Sequence, residues 1–453
     1  MKLKDSLEGF FQLNKHGTSV KKEALAGMTT FMTMAYIIFV NPDLLKQGGM
    51  NSAGALFDDA LAYTSLNDPV VAAVVTATIL GAAAATILMG LLTNYPFALA
   101  SGMGLNAYFA FTLAPEYGWQ AALGAVFISG TLFFLLTTIG WITVIEKAIP
   151  VGLKNATAAG IGLFIALIGF SNGGMIVSDP NTIIGLGSFS EKATLLSAGG
   201  LILTAALMSM NIRGSILLGI LLTSIAGLFL GLTESPEHIG ELVSLPASIA
   251  PIAFSLDLPG AFNMGIIVIF TLLFVDIFDS MGTLVGTGER AGLLDEQGSL
   301  PQIRNAMFAD SGSSVFGSLL GTSTVTTYVE STTGIAEGGR TGLTSIFTGL
   351  FFFLTLFLTP LTGYVPTQAT APALIIVGSM MMGSVRNIDF TDFTEAFPAF
   401  VTISFMPFAF SISEGIAAGF ITYPLVKALS ARYREVHWIM YPLAVLSILH
   451  FLT

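Results

Sequence analysis

The 453-residue sequence contains no cysteine, which excludes disulfides, thiol chemistry and thiolate metal sites. It is also poor in charge: Asp, Glu, Lys and Arg together make up 10% of it, against about 25% in a soluble domain. Histidine is scarce. His16, His238, His437 and His450 fall in the N-terminal region, one loop and the extreme C-terminus, so no cofactor or metal held by a His cluster is expected at a central site. The net charge of −11 leaves no basic face for a nucleic acid. The first 22 residues hold Lys2, Lys4, Lys15, Lys21 and Lys22 but no apolar run of the signal-peptide kind. They read as a cytoplasmic tail with an amphipathic piece around Leu7 to Leu13.

What is abundant is apolar: 53% of the residues are hydrophobic. Runs of about 17–25 apolar residues recur along nearly the whole chain, the pattern of a polytopic helical membrane protein. Hydropathy gives candidate spans at 24–41, 69–93, 96–113, 119–141, 151–170, 193–211, 214–233, 262–286, 305–321, 322–337, 342–362, 371–384, 394–410 and 412–430, with a further apolar piece at 437–452. With a cytoplasmic N-terminus and fourteen alternating spans, all Lys and Arg except Lys46 and Lys192 fall on the cytoplasmic side, the asymmetry expected of inserted chains. The last piece either lies along the interface or crosses as an extra helix. External loops 42–68 and 234–261 are acidic, with Asp43, Asp58, Asp59, Asp68, Glu234, Glu237, Glu241 and Asp257, and read as solvated faces.

Two spans, 96–113 and 322–337, read badly as ordinary membrane helices. Each opens as an irregular or strand-like half and closes as a short helix. They are third and tenth in order, so they occupy equivalent places in two inverted repeats of seven. The near-absence of a loop between spans 6 and 7 recurs between spans 13 and 14. Interrupted segments at matching places of two halves mark the binding site of a transporter.

The second of these spans begins the stretch GTSTVTTYVESTTGIAEGGRTG, Gly321 to Gly342. A carboxylate at membrane depth is a site hypothesis by default, and Glu330 is read as the residue that grips the ligand, kept ionised by the start of the half-helix. The alternative is a loop carboxylate facing water. Asp276 and Asp279 lie mid-span in FTLLFVDIFDSMGTLVG, three residues apart on one helix face. Two such carboxylates cannot both ionise cheaply in low dielectric, so one suits a proton carrier; a purely structural pair is the alternative. Asn106, with Gly102 and Gly104 in SGMGLNAYF, opens the other half-helix. Its amide can both donate and accept, or simply cap. Thr327, in the β-branched run, and Thr30, in the Thr29/Thr30/Thr33 stripe of the first span, are hydroxyls assigned to the ligand; for the stripe, helix packing competes. Phe31, Tyr36, Tyr108 and Phe109 are candidates to stack on a flat ring. Lys and Arg are absent from the span centres, which favours a neutral ligand rich in N–H donors, or a cation, over an anion.

AGMTTFMTMAYIIFVNP, GMGLNAYFAFT, FVDIFDSMGTLVG and LLGTSTVTTYVESTTGIAEGGRTGLT, in this order, resemble the AzgA-like purine permeases of the nucleobase–cation symporter (xanthine/uracil permease) superfamily. The resemblance covers roughly residues 15–430 and implies an all-α polytopic membrane protein of the uracil-transporter-like fold, with fourteen segments in two inverted repeats. A core domain would comprise spans 1–4 (24–145) and 8–11 (241–365), and a gate domain spans 5–7 (146–240) and 12–14 (366–432). A tail, 1–23, would precede them and an apolar segment, 433–453, follow. Short strands in spans 3 and 10 would cross beside the ligand. The family's irreplaceable polar residues fall on Asn106, Asp276, Asp279 and Glu330. FDSMGT departs from relatives at Ser280 and Met281; Ser280 stands where uracil carriers have a proton-coupling His, so a carboxylate, Asp279 before Asp276, is expected to carry the proton.

The function implied is purine import at the plasma membrane by proton symport, without a resident cofactor and without enzyme chemistry, in a homodimer. Guanine offers N1–H and its 2-amino group side by side to both oxygens of Glu330. Hypoxanthine keeps N1–H, adenine lacks it, and Asp276 is placed to take an imidazole N–H. A uniporter or sodium-coupled adenine carrier of the same fold is the competing reading; a membrane enzyme or an anion carrier fits less well.

Overall fold

The structure is a computed structural model that describes residues 8–140, 148–180, 182–233, 235–295 and 300–452. Lys2, Lys4, Leu7, Lys147 and Glu234, used above, lie outside the described residues.

The first span is two helices, α1 (Val20–Met34) and α2 (Ile37–Gln47), separated at Ala35 and Tyr36. α3 (Pro69–Thr93) starts where Asp68 accepts from the Val70 and Val71 N–H groups and Pro69 occupies the first turn. The third segment is β1 (Leu99–Ser101), α4 (Met103–Tyr108) and a π turn, Phe109–Leu113. α5 (Trp119–Ile139), α6 (Val151–Asn172), α7 (Lys192–Ser209) and α8 (Ser215–Leu230) complete the first repeat. The second runs through α9 (Ile266–Ala291), α10 (Ile303–Leu320), β4 (Val325–Thr327) with α11 (Ser331–Ala336), α12 (Gly342–Thr355), α13 (Thr367–Met381), α14 (Phe393–Phe408) and α15 (Ile412–Leu429). The same order of elements thus occurs twice. A hairpin, β2 (Ile176–Asp179) with β3 (Ile183–Leu186), stands between α6 and α7.

Among the described residues eight helical segments are long and apolar enough to cross a membrane. The remaining segments fall short for visible reasons. The strand–helix elements are brief, and α10 (IRNAMFADSGSSVFGSLL) carries an Asp and four Ser.

β1 and β4 pair antiparallel, Leu99 with Thr327, Ala100 with Thr326 and Ser101 with Val325, and all six residues are buried. The pair is extended by Gly102 N–H to the Thr324 carbonyl and Tyr328 N–H to the Ala98 carbonyl, both 2.9 Å. Extended backbone inside a bilayer must find its hydrogen bonds within the protein, and each interrupted segment supplies them to the other. Around the pair, α3 packs on α10 and α12, α12 on α1, and α5 on α9 and α10. A second set packs mainly within itself: α6 on α13 and α14, α7 on α8 and α13, and α14 on α15. Glycines set the closest crossings. A Cβ at Gly342 would lie 2.1 Å from the Gly90 carbonyl oxygen, and one at Gly378 2.3 Å from that of Gly162.

The last apolar piece forms α16 (Met440–Leu452). The segment before it is fastened to the end of α15 by Glu435 on Lys427 (2.9 Å), and near its own end His450 meets Glu414 in the first turn of α15 (3.1 Å). It therefore runs antiparallel along α15, over about 20 Å at 1.5 Å per residue. Lys427, fully buried, also pairs with Glu395 at 2.8 Å, and Arg432 joins Asp392 at 2.7 Å. The Thr394 hydroxyl and N–H, helped by Arg432, pull the Asp392 carboxyl down to about 2, and Arg432 with Lys427 does the same for Glu435.

Asp43 and Lys46 are not on a solvated face. They belong to α2, and Asp43 is buried, accepting from Thr367 (3.0 Å), Thr370 (2.7 Å) and Lys46 (2.9 Å). Asp68 is the buried cap of α3.

Candidate functional site

The polar residues singled out in the sequence surround the β1–β4 pair. Glu330 stands at the junction of β4 and α11, but its carboxylate makes no capping bond to the half-helix. Instead it accepts from the Tyr36 phenol at 2.9 Å. Tyr36 marks the break between α1 and α2, and the neighbouring turn is tied across by Thr33 and Thr333 at 3.0 Å. The expected support from helix amides is thus replaced by a phenol from the first span, and Tyr36 is a hydrogen-bond donor to the site rather than a stacking platform.

Asp276, on α9, accepts from the Ser314 hydroxyl of α10 at 3.0 Å through Oδ2, while its Oδ1 is buried without a partner. The same Ser314 oxygen lies 3.1 Å from the Val325 carbonyl, its single proton serving one acceptor or the other, so this carboxylate is seated directly against β4. Asp279 lies one turn further along α9 and is only half-buried. Asn106, on α4, donates through Nδ2 to Asn41 Oδ1, and its own Oδ1 is buried without a partner.

Two expected ligand contacts are placed differently. Thr327 directs both its N–H (2.8 Å) and its hydroxyl (2.6 Å) to one oxygen of Asp310. Thr30 packs against Gly334, where a Cβ would come within 2.0 Å of its hydroxyl oxygen, and makes no hydrogen bond. Phe31 is engaged edge-on with Phe352, ring centroids 5.1 Å apart.

Asp310 is the residue the sequence reading passed over. Ser280 and Thr326 donate to it together with Thr327, so its carboxylate gathers β4, α9 and α10 at one point. The signal was present: a carboxylate in mid-span, the criterion applied to Glu330. Asp310 was lost among the serines and glycines of ADSGSSVFGS. A cation was missed as well. Lys154, in the first turn of α6, lies 4.8 Å from the centre of the ring of Phe278, the chain neighbour of Asp279.

The arrangement offers acceptors where two half-helices meet, on elements drawn from both repeats. The profile of the permease family, Xan_ur_permease, matches residues 21–418. The chain belongs to that family. This permease is 49% identical to a putative permease of Methanocaldococcus jannaschii over 98% of each chain. It is 44% identical to the guanine/hypoxanthine permease PbuG of Bacillus subtilis, over 98% of this chain and 99% of that one. With the adenine permease AdeP of Escherichia coli it shares 42% identity over 98% and 95%. Among solved structures, the transmembrane domain of the cyanobacterial bicarbonate transporter BicA superimposes with a TM-score of 0.61 at 15% identity, covering 87% of this chain and 97% of that one. The permease therefore has the fourteen-segment inverted-repeat fold and is a multi-pass membrane transporter, not an enzyme.

Proposed function

We propose that this permease imports purine nucleobases, guanine and hypoxanthine before adenine, by proton symport with alternating access. Support for the substrate class comes from the relatives named for guanine/hypoxanthine and for adenine. The observation that carries the narrower reading is the polarity of the site. Glu330 offers carboxylate oxygens, and Asp276 and Asn106 each keep a buried, unpartnered oxygen. Such a site asks for a ligand with N–H donors on more than one edge, as unpaired buried acceptors penalise any ligand that cannot fill them. Guanine meets a carboxylate with two adjacent N–H groups and hypoxanthine with one, while adenine turns a lone pair toward it.

In this reading the set around the strand pair is the core and the set around α6 and α13 is the gate, and the two rock about the ligand. Asp279, half-buried and outside the Asp310 network, carries the proton; Asp310, on α10 and filled by donors from α9 and β4, holds the strand in place. The permease sits in the plasma membrane with a cytoplasmic N-terminus, as a homodimer.

The test is uptake of radiolabelled guanine, hypoxanthine and adenine into proteoliposomes, with and without an inward proton gradient, for wild type and Glu330→Gln. Gradient-driven guanine accumulation that disappears in the variant is the expected result. Accumulation that survives the variant removes Glu330 from the site. Adenine uptake alone overturns the donor-edge argument, and a response to sodium in place of protons overturns the coupling.

A further inference from the structure

Asn106 does not choose its own orientation. Its Nδ2 donates to Asn41, and Asn41, buried in α2, is gripped at its other end by three hydroxyls from three elements. Asn41 Nδ2 lies 2.8 Å from Thr78 Oγ1 of α3, 3.1 Å from Thr322 Oγ1 at the entry to β4 and 3.3 Å from Ser101 Oγ of β1. A hydroxyl has one proton. That of Thr78 goes to the Val74 carbonyl at 2.8 Å, so toward Asn41 Thr78 can only accept. Ser101 and Thr322 stand 3.2 Å apart and Thr322 and Thr78 3.5 Å apart, so the proton of Ser101 is placed to go to Thr322 and that of Thr322 to Thr78. The three-hydroxyl face is thus an acceptor face, and it draws the amide nitrogen of Asn41. The Asn41 oxygen must then point at Asn106 and accept from it. What remains of the Asn106 amide is a bare oxygen, buried and unpartnered.

We propose that Thr78, acting through Asn41, is a specificity-determining positioning residue: it fixes Asn106 as a hydrogen-bond acceptor, so that the site requires an N–H from the ligand there. This rests on the nucleobase reading and deepens it. With Glu330 on the N1–H edge, the donor left on a guanine or hypoxanthine is the imidazole N–H, which is thereby assigned to Asn106 in place of Asp276. A ligand whose imidazole ring carries no N–H would set a lone pair against the Asn106 oxygen. Were the relay reversed, Asn106 would offer an N–H and the preference would invert. The information passes as a chain of single protons, Asn106 to Asn41 to Thr78 to Val74, across three packed elements.

The probe pair is guanine and 9-methylguanine, which lacks an imidazole N–H, each tested as a competitor of labelled guanine in proteoliposomes with wild type, Thr78→Ser, Thr78→Val and Asn41→Asp. Wild type and Thr78→Ser should prefer guanine by about a hundredfold, one lost bond and one lone-pair clash at about tenfold each. Thr78→Val lets the relay reverse, so the guanine KM should rise about tenfold, the maximal rate should stay within about twofold, and the preference should narrow about tenfold. Asn41→Asp still accepts from Asn106 and should keep the wild-type preference. An unchanged preference in Thr78→Val, or a collapsed one in Asn41→Asp, overturns the inference. Wild type that takes up no guanine refutes the guanine/hypoxanthine reading and this inference with it, whereas wild-type uptake with an unmoved preference refutes the inference alone.

Discussion

Three Asp residues lie on α9 and α10, and their surroundings separate their parts. Asp310 accepts from a backbone N–H and from three hydroxyls, those of Thr327, Ser280 and Thr326. An amide in its place would turn two N–H donors into a ring of donors. Asp310→Asn should therefore lower stability by about 2–4 kcal/mol, the range for breaking charge-assisted bonds and leaving buried donors unpaired, seen as an earlier thermal transition in detergent. Asp279→Asn should leave that transition where it is and remove the pH dependence of guanine accumulation. The opposite pattern would exchange the two roles. Glu330, Asp276 and Asn106 were legible because each stands out against an apolar or glycine-rich setting. Asp310 was not, because hydroxyl-rich helices read as packing surfaces, and a hydrogen-bond acceptor at their centre is visible only once β4 is folded against it.

The second strand–helix element was legible from its β-branched run, Thr322 to Val329, and the first from Gly102 and Gly104, which interrupt an otherwise apolar span. The break in the first span was not. TMAYII contains neither Gly nor Pro, and Pro42 lies more than a turn beyond Tyr36. The break coincides with contacts made by tertiary structure, Tyr36 to Glu330 and Thr33 to Thr333. Glu23 shows the same logic at the start of α12. From α1 it accepts from the N–H groups of Arg340 (3.0 Å), Thr341 (3.3 Å) and Thr344 (3.1 Å) and from the Thr344 hydroxyl (2.5 Å). One helix thus supplies the N-terminal cap of another. Glu23→Ala strands these buried donors and should cost about 3 kcal/mol, with much of the folded yield lost. Glu23→Gln, which keeps one acceptor, should cost about half as much. Equal melting temperatures for wild type and Glu23→Ala would show the cap to be dispensable. The Asp392–Arg432–Glu435 contacts at the foot of α15 behave differently. Their depressed carboxyls add stability that is complete above the ordinary carboxylate range and lost as pH falls through about 2.

Across the whole molecule the two repeats make matching contacts at opposite ends. The tight turn between α7 and α8 sets Arg213 against Glu337, just beyond α11. Its counterpart between α14 and α15 presents the Phe410 carbonyl to Thr112, beyond α4, at 3.1 Å, with the Phe410 ring edge-on to Phe111 and Phe164. Each turn is made by a residue in the left-handed region, Asn211 (φ 56°) and Phe410 (φ 53°). One hairpin tip therefore meets the far end of an interrupted segment through an ion pair, and the other through aromatic packing. Under alternating access these contacts take turns opening. With the proposed cytoplasmic N-terminus the ion pair lies on the cytoplasmic side, so in the proposed cycle it secures the inward gate. An exposed pair contributes at most about 1 kcal/mol, but reversing one charge turns attraction into repulsion and should shift the gate about fivefold toward opening inward. The absence of cysteine allows a clean readout: Thr333→Cys, between Glu330 and Glu337, labelled by an impermeant maleimide from the cytoplasmic side. Arg213→Glu should speed labelling about fivefold, and adding Glu337→Arg should restore the original rate. A labelling rate indifferent to both changes would remove the pair from the gate and leave the aromatic tip as the contact that distinguishes the two faces.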